Sequence, residues 1–231
     1  MDAVTTATKP ARCLVVLLAL WFALDAHAEL AQPSGTVAGR VILSHQSEKR
    51  GTISIAGRDL SGVVIFMEPV DGEIVPTLPE KEATIRQKDV KFDPALLLVT
   101  RGQTVRFPND DKIVHNVFSF SSAHPFDLGL YSKGESKSVT FTNTGPVRIF
   151  CSIHTDMHAV IYVTPNHLRA ATDAKGRFHI LNVPVGRYAL QTWHRYLPDG
   201  VERVEVRHVD VQVGEPVWTD VDLSVQSGDT P

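Results

Sequence analysis

The chain has 231 residues, of which 43% are hydrophobic and 21% are charged, with 15 glycines and 14 prolines. This composition is typical of a globular protein and excludes disordered, collagen-like and multispan membrane classes. Lys and Arg number 23 against 26 Asp and Glu, so the formal net charge is −3. Without a cationic excess, the chain is not expected to bind nucleic acid.

Residues 1–28 have the features of an export signal peptide. Two basic residues, Lys9 and Arg12, precede the apolar run 13–24, and an A-x-A cleavage site ends at Ala28. The run is shorter than the roughly 20 residues that a helix needs to cross a bilayer. We therefore predict cleavage after residue 28, a periplasmic location and no stable membrane span.

Removal of the signal peptide would leave Cys151 as the only cysteine of the mature chain. A single thiol cannot form an internal disulfide. In an oxidising compartment it is prone to oxidation unless it is buried, paired with another chain or bound to a metal.

The mature chain contains many short segments of strand composition and little helical periodicity. The segments are rich in β-branched and aromatic residues, and turn signals such as Asp71-Gly72 separate them. In chain order, the first of these segments are 36–43, 62–67, 104–107, 138–142, 147–151 and 159–163. The pattern predicts an all-β protein built of sandwiches or barrels. The polar stretch 76–88 and the turn 164–166 are the candidate domain boundaries.

The segment 150–157 carries three metal-binding side chains between two predicted strands. Cys151, His154 and Met157 follow one another at intervals of three residues. A trigonal Cys-His-His site with a weak axial Met is the ligand set of a blue copper centre. Such a set needs a second histidine, and His115 lies beside another strand-like segment, 36 residues upstream of Cys151.

These residues resemble the ligand motif of the cupredoxins. The compact Cys-x-x-His-x-x-Met loop is similar to that of amicyanin rather than to the longer loops of plastocyanin. The resemblance covers about residues 83–163, and it includes the segments 105–109, 115–117 and 150–157.

The resemblance implies an eight-stranded Greek-key sandwich with one type 1 copper per chain. His115, Cys151 and His154 would bind the copper, and Met157 would be its axial ligand. Asn116 would tie the two ligand loops together near Cys151.

Other interpretations of the motif have to be weighed. Cys151 could be an ordinary buried cysteine, or the site could bind zinc, although a thioether is a poor ligand for zinc. A cysteine hydrolase would use Cys151 as its nucleophile, but no helix N-terminus or oxyanion-donor glycine motif lies nearby, so we expect no catalytic residue.

His158 competes with Met157 for the axial position. Because successive side chains of a strand point to opposite faces, both cannot face one metal.

A second β-unit is predicted in the C-terminal part. The segments 171–180 and 183–190 have strand composition, with turns at 173–176 and 184–186. They resemble the transthyretin-like, carboxypeptidase regulatory-like β-sandwich, which is usually a noncatalytic accessory. We expect its core to contain Phe178, Tyr188 and Trp193.

The segments 35–41 and 60–66 resemble the two opening strands of that same sandwich. The sequence therefore predicts a discontinuous sandwich of residues 29–78 and 167–231, with a cupredoxin domain of residues 79–166 inserted into it. The alternative is that the early strands extend the copper domain. The combined architecture resembles exported plastocyanin-like proteins of the methylamine-utilisation type.

The function predicted from these features is that of an exported blue copper protein rather than an enzyme. It would carry single electrons between redox proteins, such as a c-type cytochrome or a periplasmic oxidoreductase. The alternative is a periplasmic copper chaperone or storage protein that uses the same ligands without redox cycling.

Overall fold

The computed structural model describes residues 33–42, 59–79, 81–195, 204–214 and 216–222. The predicted signal peptide and its cleavage site lie outside these ranges. Within them every named element is a β-strand, which confirms the all-β prediction. No helix long and apolar enough to span a membrane occurs in the described part of the chain.

Ten strands lie between residues 83 and 164 and form what we call the central unit. They are β3 (Ala83–Thr84), β4 (Arg86–Lys88), β5 (Lys91–Asp93), β6 (Leu96–Thr100), β7 (Thr104–Pro108), β8 (His115–Ser119), β9 (Phe126–Tyr131), β10 (Ser136–Thr140), β11 (Gly145–Cys151) and β12 (His154–Thr164). The polar stretch 76–88, which is one of the two predicted boundaries, thus contains two short strands.

Two sheets of the central unit enclose one apolar core. The five-stranded sheet has the order β6-β12-β11-β8-β9, the three-stranded sheet has the order β10-β7-β3, and β4 and β5 form a separate hairpin. Alternate residues of β11, namely Val147, Ile149 and Cys151, point into this core. Val105 and Phe107 of β7 meet them from the other sheet. The two sheets together have the eight strands that the resemblance implies.

Eight further strands flank the central unit in sequence and form what we call the flanking sandwich. They are β1 (Ser34–Ile42), β2 (Val64–Pro69), β13 (Arg169–Ala171), β14 (Arg177–Pro184), β15 (Gly186–Trp193), β16 (Val204–Val211), β17 (Val217–Trp218) and β18 (Val221–Asp222). Strand β1 pairs with β14, β17 and β18, and β2 pairs with β13 and β15. In the described ranges, the ladder partners of both early strands therefore come from the C-terminal part.

The core of the flanking sandwich lies between its two sheets. Val37 and Phe178 from one sheet pack with Ile65 and Tyr188 from the other. Phe178 and Tyr188 are buried, as predicted. Gly39 lets β1 lie close to the backbone of Thr219, because a Cβ atom at Gly39 would lie 1.8 Å from the Thr219 carbonyl oxygen.

A third apolar cluster joins the two units. Val64 and Phe66 point away from the core of the flanking sandwich and pack against Tyr162 of β12 and the buried Trp193 of β15. The ring centroids of Phe66 and Tyr162 are 5.6 Å apart, and those of Tyr162 and Trp193 are 5.1 Å apart. The predicted burial of Trp193 is thus confirmed, but this side chain lies between the units.

The chain leaves the central unit through a hydrogen-bonded junction around Arg169. The guanidinium donates to the Thr164 hydroxyl and the Asn166 carbonyl at 3.0 Å each, and to the Leu98 carbonyl at 3.4 Å. Burial lowers the pKa of Arg169 to about 10, so the side chain remains charged at neutral pH. The junction fixes β13 beside the end of β12.

From the strand pairing we propose that residues 79–166 are inserted into a sandwich of residues 29–78 and 167–231. Replacing residues 79–166 with a short Gly-Ser linker should leave a remainder that unfolds cooperatively in chemical denaturation followed by circular dichroism. Its free energy of unfolding should be lower than that of the full chain, because Val64, Phe66 and Trp193 lose their apolar cover.

The opposite result would be an unfolded linker variant together with a stably folded fragment of residues 29–166. It would show that the early strands belong to the central unit.

Candidate metal centre

A tight hairpin between β11 and β12 brings the first two candidate ligands together. Cys151 ends β11, His154 begins β12, and only residues 152 and 153 lie between them. Cys151 and His154 are register partners, and directly opposed residues of an antiparallel pair project to the same face. The Cys151 Sγ atom consequently lies 3.6 Å from the His154 Nδ1 atom.

His115 reaches the same point from the neighbouring strand. It begins β8, which pairs with β11 through Phe118 and Phe150. The Nδ1 atom of His115 lies 3.1 Å from that of His154 and 3.9 Å from Cys151 Sγ. His115 is fully buried, Cys151 is 4% exposed, and His154 is half-buried. The structure therefore brings together three of the four predicted ligands.

The spacing of these donor atoms fits a single metal ion. Bond lengths of about 2.0 Å to nitrogen and about 2.3 Å to sulfur would separate the donors of a three-coordinate metal by about 3.5 to 3.7 Å. The observed separations of 3.1 to 3.9 Å lie on both sides of that range. Two imidazoles and one thiolate are also a donor set that suits copper.

Met157 lies in the core of the central unit, next to a shift in the pairing register between β11 and β12. Phe150 is opposite His158, whereas the next residue, Cys151, is opposite His154, so residues 155–157 have no register partners on β11. Met157 is buried in the same cluster as Cys151, and His158 is exposed. The two side chains thus alternate as predicted. The axial assignment of Met157 stays a prediction.

Asn116 links the two ligand-bearing loops. Its Oδ1 atom accepts a hydrogen bond from the backbone N–H of Ser152 at 2.7 Å, and its Nδ2 atom donates to Asp127 at 2.8 Å. The first bond is the tie near Cys151 that the resemblance implies. It restrains the two-residue turn between Cys151 and His154.

Asp111, which was not predicted from the sequence, has a carboxylate that contacts a predicted ligand. Its Oδ2 atom lies 2.8 Å from His115 Nε2, and the side chain is 11% exposed. Burial by itself would raise the pKa of Asp111, but hydrogen bonds from the Val90 N–H, the His115 imidazole and the Asp89 N–H outweigh it. The pKa therefore lies below the usual value for aspartate. An Asp-x-x-x-His spacing was the only sequence signal, and it is a weak one.

Residues 79–164 match the family model of copper binding proteins of the plastocyanin/azurin family. This match covers the central unit and supports a copper-binding domain of the cupredoxin type there. The described cluster of His115, Cys151 and His154 lies within the matched residues. Copper is accordingly the cofactor of this domain.

Solved structures of copper proteins resemble part of the chain. A purple cupredoxin from Nitrosopumilus maritimus is 22% identical, with a TM-score of 0.33, and covers 36% of this chain and 100% of its own. A copper-containing nitrite reductase from Thermus scotoductus is 27% identical, with a TM-score of 0.35, over 42% of this chain and 25% of its own. A Cu(I) form of an amicyanin mutant is 18% identical, with a TM-score of 0.35, and covers 42% of this chain and 98% of its own. No curated protein matches the chain.

Substitution of the thiol provides a direct test of the proposed ligand set. Cys151→Ser should abolish the intense visible absorption of the copper-loaded protein, because a hydroxyl cannot supply a thiolate-to-copper charge transfer. Ser152→Ala is a matched control, since Ser152 is exposed and the variant keeps the N–H that Asn116 accepts. Persistence of the band in Cys151→Ser would exclude Cys151 as the chromophoric ligand.

Proposed function

We propose that the protein is an exported carrier of single electrons that uses one type 1 copper per chain. The observation that carries this proposal is the convergence of a buried thiol and two imidazole Nδ1 atoms on one point. Bound copper would accept and release one electron by cycling between Cu(II) and Cu(I). The proposed ligands are His115, Cys151 and His154, with Met157 as a weak axial ligand.

Rigid positioning of the ligands favours electron transfer over other uses of the site. Cys151 and His154 are register partners at the ends of paired strands, and the Asn116 bond restrains the turn between them. A scaffold that keeps one ligand geometry in both oxidation states reduces the reorganisation that opposes transfer. Nothing in this arrangement requires a substrate, and we propose that the protein is not an enzyme.

The half-buried ligand His154 offers a route for electrons to the surface. Its neighbour Ile153 is 48% exposed, and Ile113 and Val114, which precede the buried His115, are 45% and 43% exposed. Exposed apolar residues next to two proposed ligands in sequence suit brief docking of another redox protein. We propose a c-type cytochrome or a periplasmic oxidoreductase as the partner.

Export to the periplasm is supported by the signal features of residues 1–28 and by the single thiol of the mature chain. The flanking sandwich is proposed to be a noncatalytic accessory of the carboxypeptidase regulatory-like type. This combination resembles exported proteins of the methylamine-utilisation type.

Copper titration and voltammetry of the mature protein test the proposed function. One Cu(II) per chain should bind and produce an intense visible band with the narrow hyperfine splitting of a blue centre. Voltammetry should then show fast, reversible one-electron transfer. A colourless protein that retains zinc after copper challenge would contradict the proposal. Slow electron exchange together with transfer of copper to an apo-acceptor would instead indicate a chaperone or storage protein.

Replacement of the axial candidate should change the reduction potential without loss of copper. In Met157→Leu, removal of a weak donor should stabilise Cu(I) relative to Cu(II) and raise the potential. His158→Ala is the neighbouring control, and its potential should remain close to that of the parent because His158 is exposed.

Loss of the blue spectrum in His158→Ala, with an unchanged potential in Met157→Leu, would contradict the axial assignment. Voltammetry and visible spectroscopy of the two variants are sufficient to decide.

A further inference from the structure

The hydrogen bond between Asp111 and His115 determines which imidazole nitrogen is free. A carboxylate can only accept, so the hydrogen in the 2.8 Å contact between His115 Nε2 and Asp111 Oδ2 belongs to Nε2. A neutral imidazole carries one hydrogen. Its Nδ1 atom therefore presents a lone pair toward Cys151 and His154, where a metal would lie.

Asp111 is itself held in place by the chain around it. Its backbone N–H donates to the Asn109 Oδ1 atom at 2.9 Å. The Asn109 Nδ2 atom donates to the carbonyls of Ile113 at 2.9 Å and Tyr131 at 3.0 Å. The loop between β7 and β8 is thus fixed at both ends, and the carboxylate has little freedom to leave His115.

A strained turn supplies two more donors to the same carboxylate. The N–H groups of Asp89 and Val90, between β4 and β5, donate to Asp111 Oδ1 at 2.7 Å and Oδ2 at 2.9 Å. Both residues have left-handed backbones, with φ of 54° and 58°. This conformation is unfavourable for a β-branched residue such as Val90, so the surrounding contacts must enforce it. Three donors therefore converge on one carboxylate that is 11% exposed.

We propose that Asp111 is a positioning residue for copper. It keeps the hydrogen of His115 on Nε2, fixes the ring orientation and leaves Nδ1 available for the metal. The Asp89-Val90 turn anchors the carboxylate in that role. The inference rests on the proposed function, because it takes His115 to be a copper ligand.

Asp111→Asn should weaken this arrangement without a large change in side-chain volume. Its amide nitrogen is a donor, and it replaces one of two oxygens that accept hydrogen bonds from Asp89, Val90 and His115. Copper affinity should fall by about 10- to 100-fold, the usual effect of losing such a partner. The reduction potential of the copper that still binds should rise, because an anion beside His115 stabilises Cu(II).

Asp110→Asn is the matched control. It removes the same charge from the adjacent residue, whose carboxylate pairs with Arg86 at 2.8 Å instead of with a ligand. Both variants should be compared in copper affinity, reduction potential and thermal unfolding of the metal-free protein. Asp110→Asn should retain the parent affinity and potential. Equal effects of the two variants, or no effect of Asp111→Asn, would overturn the proposal.

The position of the imidazole hydrogen can be measured without copper. Two-bond ¹H–¹⁵N correlation spectra of the metal-free full chain, with His115 neutral, should show the hydrogen on Nε2. In Asp111→Asn the Nδ1–H form should become populated. A parent protein with the hydrogen on Nδ1 would overturn the proposal even if Asp111→Asn failed to fold. If the parent shows Nε2–H and Asp111→Asn shows Nδ1–H, but the parent binds no copper, the proposed function would be contradicted and the hydrogen placement by Asp111 confirmed.

Discussion

The pairing of β8, β11 and β12 is the constraint on which the metal centre depends. A metal ion needs all its donors at one point. Two of the proposed donors are opposed across a two-residue hairpin, and the third begins the adjacent strand. Because strand pairing sets this register, Cys151 and His154 lie opposite each other at the end of the sheet. Displacement of β8 by one residue would turn His115 to the opposite face. The site is therefore a direct product of strand register.

Both faces of strand β12 pack against other parts of the molecule. Met157, Ala159 and Ile161 pack into the core of the central unit, while Val160 and Tyr162 face the apolar cluster shared with the flanking sandwich. The flanking sandwich thereby covers the back of the ligand-bearing sheet. A sheet covered on both sides resists distortion, which is the property that an electron carrier requires of its ligand scaffold.

Much of the fold and most of the site could be predicted from local sequence. Strands such as β2 and β11 have continuous or alternating apolar patterns, and the spacing of Cys151, His154 and Met157 predicts a ligand loop. The opposed directions of Met157 and His158 followed from strand alternation, although the register break at residues 155–157 was not foreseen. Strands of two or three residues, such as β3 and β4, are too short to show a period.

The contact of Asp111 with His115 could not be predicted from the sequence, for a physical reason. It depends on a turn about 20 residues upstream, in which Asp89 and Val90 adopt left-handed backbones. Asn-Gly would have signalled such a turn, whereas Asp-Val does not, because Val disfavours the conformation. Long-range contacts enforce the turn, and those contacts are absent from any local pattern.

X-ray absorption fine structure of the Cu(II)-loaded full chain is the most direct test of the proposed copper ligands. We predict one sulfur and two imidazole nitrogens in the inner coordination shell. A shell of nitrogen and oxygen without sulfur would exclude Cys151 as a copper ligand.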